Sequence, residues 1–131
     1  MINKYISVNN RSKSNNNMTC ENLKEEHVQK LKELEKTLPS FGEFEEYSDK
    51  FKALSDPTRL KILYLLSEGS CCTCSIQEIL DKPQSNISHH LKILKNVGFI
   101  DSKKDGIWVY HKVKDPEIIE LLDDLSNIIT N

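Results

Sequence analysis

The segment from Asp56 to Val113 constrains the fold most strongly, because it encodes three helices and a hairpin with short connections. Asp56 is a good N-cap residue, and Pro57 suits the first helical position, where a missing N–H leaves no bond unmade. The helix that follows, to about Glu68, is apolar almost all round and is predicted to be central and buried. Gly69 is expected to end it.

A short helix and a longer one come next, joined by a tight turn. We expect Thr73 or Ser75 to cap the short helix, which ends near Lys82. The longer helix is predicted from about Gln84 to Val97, because apolar residues recur at helical spacing along it. Its buried stripe comprises Ile87, Leu91 and Leu94. Two helices joined in this way form a helix-turn-helix.

Two short segments after this motif are rich in branched and aromatic residues. Phe99–Lys103 and Ile107–Val113 are predicted strands, and Asp105-Gly106 between them is a strong signal for a hairpin turn. A hairpin in this position is a wing. The sequence therefore predicts a mainly α-helical domain with a β-hairpin wing, the winged helix-turn-helix fold.

Helices are also predicted on both sides of this motif. Apolar residues at helical spacing indicate helices over about Glu21–Leu38 and Glu43–Leu54. A last helix is capped by Asp115, opened by Pro116 and apolar over more than half its circumference. A monomer seldom exposes so much apolar surface, so we expect the last helix and the helix from Glu21 to form a homodimer interface.

The front of the chain and the cysteines suggest the setting. Residues 1–19 are polar, contain six Asn before Met18 and lack a secretory signal, so they are predicted to be a disordered tail. Residues 20–131 form the predicted domain for DNA binding and dimerisation. No apolar run approaches a membrane span. Without an export signal, the cysteines belong to a reducing compartment, which is expected to be the cytoplasm.

The charge distribution favours a nucleic-acid partner. Lys82 to Lys114 contains seven Lys and two Asp, a net +5, whereas Asp115 to Asn131 has five acidic and no basic residues. One basic face in a chain of net charge −2 suits contact with DNA phosphates. If the apolar stripe of the longer helix faces the core, the opposite side and the wing present the predicted DNA-binding residues: Gln84, Ser85, Asn86, Ser88, His89, Lys92, Lys103 and Lys104. His90, beside the buried stripe, is predicted to be packed or to act as a cap.

Two sequence motifs resemble a known family. ALSDPTRLKILYLL and QSNISHHLKILKNVGFIDSKKDGIWVYHKV are similar to segments of the ArsR/SmtB repressors, which respond to metals and metalloids. The resemblance covers roughly residues 51–125. It implies that the helix from Gln84 is the recognition helix, that the hairpin contacts DNA, that the terminal helices form the dimer, and that operator DNA is the partner.

The segment Ser70 to Ile76 resembles the metal-binding box of that family, ELCVCDL, with Cys72 and Cys74 on its two cysteines. Residues at i and i+2 lie about 200° apart on an ideal helix, so both can bind one ion only where a helix begins or unwinds. Soft ions need further donors, for which Cys71 and Cys20 are the candidates; the resemblance suggests Cys20 because amino-terminal cysteines ligate in cadmium and lead sensors. Three sulfurs suit arsenite or antimonite, and four suit Cd²⁺, Pb²⁺ or Zn²⁺.

Other interpretations of the same residues remain open. Cys71 and Cys74 also form a Cys-x-x-Cys pair, so the same repressor fold could sense oxidants through a disulfide. A thiol oxidoreductase and a winged helix used only for protein contacts are further hypotheses. No catalytic series is evident, so we expect no enzyme activity. The zinc site that other family members carry in the terminal helix is predicted to be absent, because only Asp115 and Glu117 stand there.

Overall fold

The computed structural model of the protein describes residues 20–130, with side chains described from Lys24 onward. One compact unit ends at Phe44, and a second comprises Glu45–Asn131. The elements in chain order are α1 (Cys20–Thr37), α2 (Phe41–Leu54), α3 (Pro57–Leu66), β1 (Cys71–Cys72), α4 (Thr73–Leu80), α5 (Gln84–Asn96), β2 (Ile100–Asp105), β3 (Trp108–Val113) and α6 (Glu117–Ile129).

The helix starts follow from local capping chemistry. Asp56 is extended, and its Oδ2 accepts a hydrogen bond from the Arg59 backbone N–H at 3.0 Å, with Pro57 as the first helical residue. Ser40 and Glu43 form a reciprocal capping box before α2, each side chain bonding the other backbone N–H at 3.2 Å. This cap places the start of α2 two residues before the predicted one.

The core of the second unit lies between α3, α4, α5 and the sheet. The predicted stripe of α5 is buried, and so are Ile62 and Leu63 of α3. The buried cluster comprises Ile62, Leu63, Leu66, Ile76, Ile87, Leu91, Leu94 and Ile100. Apolar burial of this kind contributes about 25 cal/mol per Å², so the packing fixes α5 against the rest of this unit and determines which of its faces is exposed.

The sheet has three antiparallel strands in the order β1-β3-β2. The hairpin of β2 and β3 confirms the predicted wing, with Gly106 at φ +61° in its turn. The two-residue strand β1 is not part of the sequence prediction, because a strand of that length has no periodic pattern to detect. It pairs Cys71 with His111 and Cys72 with Tyr110, which attaches the cysteine segment to the inner edge of the wing.

The predicted winged helix-turn-helix fold is thus confirmed, with small corrections at element ends. The cap of α4 is Cys72 rather than Thr73 or Ser75, because the chain is still extended at Cys72 as it leaves β1. The predicted disordered tail, residues 1–19, lies outside the described residues. Within residues 20–130, no helix combines the length and apolar character needed to cross a membrane.

Candidate DNA interface and cysteine site

The exposed face of α5 carries most of the predicted DNA-binding residues. Gln84, Ser85, Ser88, His89 and Lys92 are exposed, while the apolar stripe opposite them is buried. These side chains can bond base edges or phosphates, and the polar amino end of the helix adds free backbone N–H groups.

Asn86 differs from its neighbours on α5. It is only partly exposed, and its Oδ1 is buried without a hydrogen-bond partner among the described residues. Bidentate contact with adenine needs both the oxygen and the nitrogen of the amide. The inward position of Oδ1 therefore leaves Asn86 less suited to base readout than Gln84.

A cleft of about 340 Å³ separates α5 from the wing. Gln84, Ser88 and Lys92 line it from the helix, together with Lys95. Two lysines on one wall of an open cleft suit a phosphate group, because each ammonium donates hydrogen bonds and charge.

The two predicted lysines of the wing lie in a different place. Lys103 and Lys104 line a cavity of about 470 Å³ along the hairpin, together with Lys112. At the wing tip, Ile107 is 84% exposed and Trp108 is 49% exposed. The structure thus gathers the predicted basic residues into two groups, one beside α5 and one along the wing.

Arg59 and His90 anchor α5 to the front of the second unit. The Arg59 Nε donates to the Ala53 carbonyl at 2.6 Å and its NH2 donates to the Lys52 carbonyl at 3.3 Å, so the guanidinium caps the end of α2. Its NH1 lies 3.0 Å from His90 Nδ1. Because a guanidinium only donates, Nδ1 must be the accepting nitrogen of a neutral ring. Asp56, Arg59 and His90 are called the arginine corner below.

The protonation of the arginine corner agrees with this bonding. Burial lowers the pKa of His90, and the nearby Asp56 carboxylate, 3.8 Å from Nδ1, opposes that shift only in part. The backbone N–H of Arg59 lowers the pKa of Asp56 by bonding its charged form. The prediction that His90 is packed is therefore matched by its contacts. Sequence analysis missed Arg59, although its place three residues after a helix cap was a usable signal.

Cys72 and Cys74 meet at the start of α4. Cys72 is the extended N-cap residue, and its Sγ accepts a hydrogen bond from the Ser75 backbone N–H at 3.4 Å and lies 3.1 Å from Ser75 Oγ. Cys74 is the second helical residue, and the two sulfur atoms are joined as a disulfide, with the Cα atoms 5.4 Å apart. The start of the helix thus brings the i and i+2 side chains together, as the geometric argument required.

The other two cysteines occupy different surroundings. Cys71 has a free thiol and packs against the apolar core, because neighbouring residues on a strand point to opposite faces. Cys20 is the first residue of α1, but its side chain lies outside the described part of the chain. Among the described residues, no group of three or more His, Cys, Asp or Glu is placed to hold a metal ion. Two sulfur donors fit a soft ion.

Cys74 borders the exposed face of α5 and the wing tip. A groove of about 260 Å³ is lined by Cys74 and Gln77 of α4, by Gln84 at the start of α5, and by the wing tip at Trp108. Cys74 is exposed, so its sulfur is accessible to a ligand. One groove therefore joins Cys74, the start of α5 and the wing tip.

His111 links the same region to the interior of the wing. It is 5% exposed, and its Nε2 lies 2.8 Å from Thr73 Oγ1 while its Nδ1 lies 2.7 Å from Ser102 Oγ. Burial, together with Lys95, lowers the pKa of His111. Sequence analysis assigned no role to His111. Its place between Val109 and Val113 in an alternating strand was the signal that it points inward.

These features define a class of protein: a winged helix-turn-helix DNA-binding regulator with a cysteine pair near the start of α5. The family model described as bacterial regulatory protein, arsR family, matches residues 56–102. An uncharacterized HTH-type transcriptional regulator of Methanocaldococcus jannaschii is 49% identical over 86 residues, which cover 63% of this chain and 97% of the relative. The chain belongs to the ArsR family of transcriptional regulators.

Two further relatives carry names with an effector. The arsenical resistance operon repressor of Bacillus subtilis is 42% identical over 60% of this chain and 75% of its own length. A cadmium resistance transcriptional regulatory protein CadC homolog of Staphylococcus aureus is 43% identical over 56% of this chain and 61% of its own length.

Solved structures show the same fold. A homodimeric winged helix-turn-helix DNA-binding domain of Mycobacterium bovis is 21% identical with a TM-score of 0.62, covering 68% of this chain and 82% of the other. Reduced HlyU from Vibrio cholerae is 25% identical with a TM-score of 0.58, covering 64% of this chain and 92% of the other. The family assignment confirms the prediction of a transcriptional regulator and not an enzyme, so the thiol oxidoreductase hypothesis was wrong.

Proposed function

We propose that the protein is a repressor that binds operator DNA as a homodimer and leaves it when a soft metal or metalloid ion binds Cys72 and Cys74. The observation that carries this proposal is the position of Cys74, which is bonded to Cys72 and lines a groove together with Gln84 and the wing tip. Relatives named for arsenical and cadmium resistance support the choice of ion class.

The ligand would act on the dithiol form of the pair. Each thiol gives up a proton as its sulfur bonds the ion, and the Ser75 backbone N–H favours the thiolate at Cys72. An ion bound by both sulfurs would fix their separation in the reduced pair. That constraint falls on the first turn of α4, so an ion with higher affinity for the altered turn shifts the protein away from its DNA-binding form.

Cys20 is the better candidate to complete the site. Cys71 packs against the core, and turning its thiol out would remove an apolar contact there. With Cys20 as third donor, the proposed site suits arsenite or antimonite, and with a fourth donor it suits Cd²⁺, Pb²⁺ or Zn²⁺. The sulfur-to-cadmium charge-transfer absorbance of Cys20→Ser and Cys71→Ser tests this choice, because only loss of a ligand lowers it.

DNA contact is proposed for residues at the amino end and on the exposed face of α5, and for two lysines of the wing. These are Gln84, Ser85, Asn86, Ser88, His89, Lys92, Lys103 and Lys104. Lys92→Gln should weaken binding to all duplexes alike and reduce the salt dependence by about one counterion. Gln84→Ala should instead relax the preference for one base pair.

Dimerisation is proposed through the terminal helices. Along α6, Leu121, Leu125, Ile128 and Ile129 are exposed, and α1 exposes Val28 and Leu31. Apolar stripes of this extent favour a second copy as the partner, and the homodimeric Mycobacterium bovis domain shares the fold. Sedimentation of the wild type should give a dimer, and Leu121→Lys with Leu125→Lys should give a monomer.

The decisive experiment measures operator binding by the reduced protein. The protein first selects duplexes from a random pool. Its complex with a selected duplex is then titrated with arsenite, antimonite, Cd²⁺, Pb²⁺ or Zn²⁺. At least one ion should weaken binding about tenfold or more. Cys72→Ser with Cys74→Ser should bind the same DNA and lose the response, while Cys71→Ser is the matched control that keeps it. If every ion leaves wild-type binding unchanged, the proposal is wrong.

The disulfide itself favours a second candidate function. The structure joins Cys72 to Cys74, not Cys71 to Cys74, and the fold is shared with a protein studied in its reduced form. An oxidant that takes two electrons and two protons from the pair would control the same helix start. A thiol oxidant should then weaken operator binding of the wild type, with reversal by dithiothreitol, whereas the metal ions should not.

A further inference from the structure

We propose that His111 is the positioning residue through which the cysteine pair controls the wing. The proposal rests on the proposed function and names its regulatory connection. Thr73, His111 and Ser102, called the His111 network below, are joined by hydrogen bonds across three segments of the chain.

The location of His111 makes it the shared neighbour of both regions. It lies on the central strand of the sheet, opposite Cys71 of β1 on one side and Ser102 of β2 on the other. Thr73 stands between the two cysteines of the pair and is the first residue of α4. A displacement of that helix start therefore reaches His111 directly through one hydrogen bond.

The bonding leaves little tolerance for movement. Both ring nitrogens are engaged at 2.7–2.8 Å, and such bonds weaken steeply once the distance exceeds about 3.2 Å. A neutral imidazole has one donor and one acceptor, so the Thr73 and Ser102 hydroxyls play opposite roles. When the Thr73 bond breaks, the free ring nitrogen is buried, and the ring must turn or move to find another partner.

The consequence falls on the surface that meets DNA. Ser102 and His111 line the α5–wing cleft together with Ser88, Lys92 and Lys95. A shift of the ring therefore changes the width of the cleft in which the lysines would hold a phosphate. In this way an ion bound at Cys72 and Cys74 loosens the grip of the wing without touching α5.

The test compares hydroxyl deletions that leave the cysteines intact. For each variant, the operator Kd is measured with and without saturating arsenite or Cd²⁺, and the ratio is the coupling. Thr73→Val and Ser102→Ala should each reduce the wild-type ratio about fivefold or more while ion binding persists. Thr73→Ser restores the hydroxyl and should keep the ratio. Ser67→Ala, which removes a hydroxyl bonded to the Tyr64 carbonyl away from this region, is the matched control.

A spectroscopic measurement separates coupling from stability. In ¹⁵N spectra of reduced wild-type protein labelled at histidine, addition of Cd²⁺ should change the ring nitrogen shifts of His111, and Thr73→Val should remove that change. A merely structural His111 would show lowered stability in the variants but an unchanged ratio and unchanged shifts. If the variants keep the full ratio while the wild type responds, the inference about His111 is wrong. If the wild type itself does not respond to ions, the proposed function fails and this inference falls with it.

Discussion

The arginine corner contains a partly buried histidine and the His111 network a buried one, and the two hold different kinds of structure. In the corner, a guanidinium makes three contacts, and two of its partners are backbone carbonyls six and seven residues before Arg59. In the network, two hydroxyls and a ring join the start of α4 to β2 and β3. The Arg59 guanidinium carries a permanent charge and acts only as a donor. In the network, the two hydroxyls and the neutral ring can exchange the roles of donor and acceptor.

The difference shows that two parts of the second unit are held by bonds of different strength. The corner fixes α5 to the end of α2 with charge-assisted bonds, which are roughly twice as strong as neutral ones. The network attaches the start of α4 and the wing through neutral bonds that a small displacement breaks. We therefore expect mutations in the corner to act on stability and mutations in the network to act on regulation.

The largest expected effect comes from Arg59→Ala. It removes the bonds to Ala53, Lys52 and His90, and we expect a loss of about 3 kcal/mol in the free energy of unfolding. Urea denaturation at fixed protein concentration measures it. Lys61→Ala, an exposed cation on the same helix, is the control and should change stability by less than about 0.5 kcal/mol. Equal effects of the two variants would show that the corner has no special role.

A smaller effect should appear in the pH dependence. Burial lowers the pKa of His90 and of His111 below the ordinary 6.5. Above pH 6.5 both histidines are neutral in the folded and in the unfolded protein, so their contribution to the free energy of unfolding is fully present. Below 6.5 the unfolded chain binds protons first, so stability falls as the pH falls toward the folded-state values. Asp56 contributes in a separate window, because its pKa is lowered from 3.8 and its share is lost only as the pH falls below that value.

Urea denaturation between pH 7.5 and 5.5 checks this expectation. The wild type should lose stability on acidification, and His90→Gln and His111→Gln should each flatten the slope. A comparison of the two variants shows which buried histidine is more sensitive to protons. If stability rises as the pH falls across this range, the assignment of both lowered pKa values is wrong.

The smallest effect is expected at a bond that belongs to neither region. The Tyr64 hydroxyl donates to Asp123 Oδ1 at 2.9 Å, joining α3 to α6 at the surface. Burial and the carboxylate together raise the pKa of Tyr64. Because this bond is exposed to water, Tyr64→Phe should cost about 0.5 kcal/mol or less in urea denaturation. A loss above about 1.5 kcal/mol would mean that this surface bond rivals the arginine corner.

Local sequence rules accounted for most of the elements. The Asp56-Pro57 start, the Asp105-Gly106 hairpin and the apolar stripe of α5 each depend on residues within a few positions of one another, so pattern alone predicts them. The exposed face of α5 followed from its buried one. The same rules missed β1, since two residues carry no period, and placed the cap of α4 one or three residues late.

Site chemistry was predictable only in part. The spacing of Cys72 and Cys74 required a helix start, and the structure supplies one. Spacing could not show whether Cys72 or Cys71 pairs with Cys74, because the answer depends on strand pairing. Cys71 lies on β1 and packs against the core. Arg59 and His111 were missed because their partners are reached only when separate elements pack together.

The sequence by itself determined the order of elements, the buried stripe of α5, the basic character of the wing and the presence of two cysteines at a helix start. Only the tertiary structure decided that Cys74 shares a groove with Gln84 and Trp108, and that His111 meets both Thr73 and Ser102. The reason is physical. Helical and strand periods are local properties, whereas the junction of three strands and two helices is fixed by the packing of a common core.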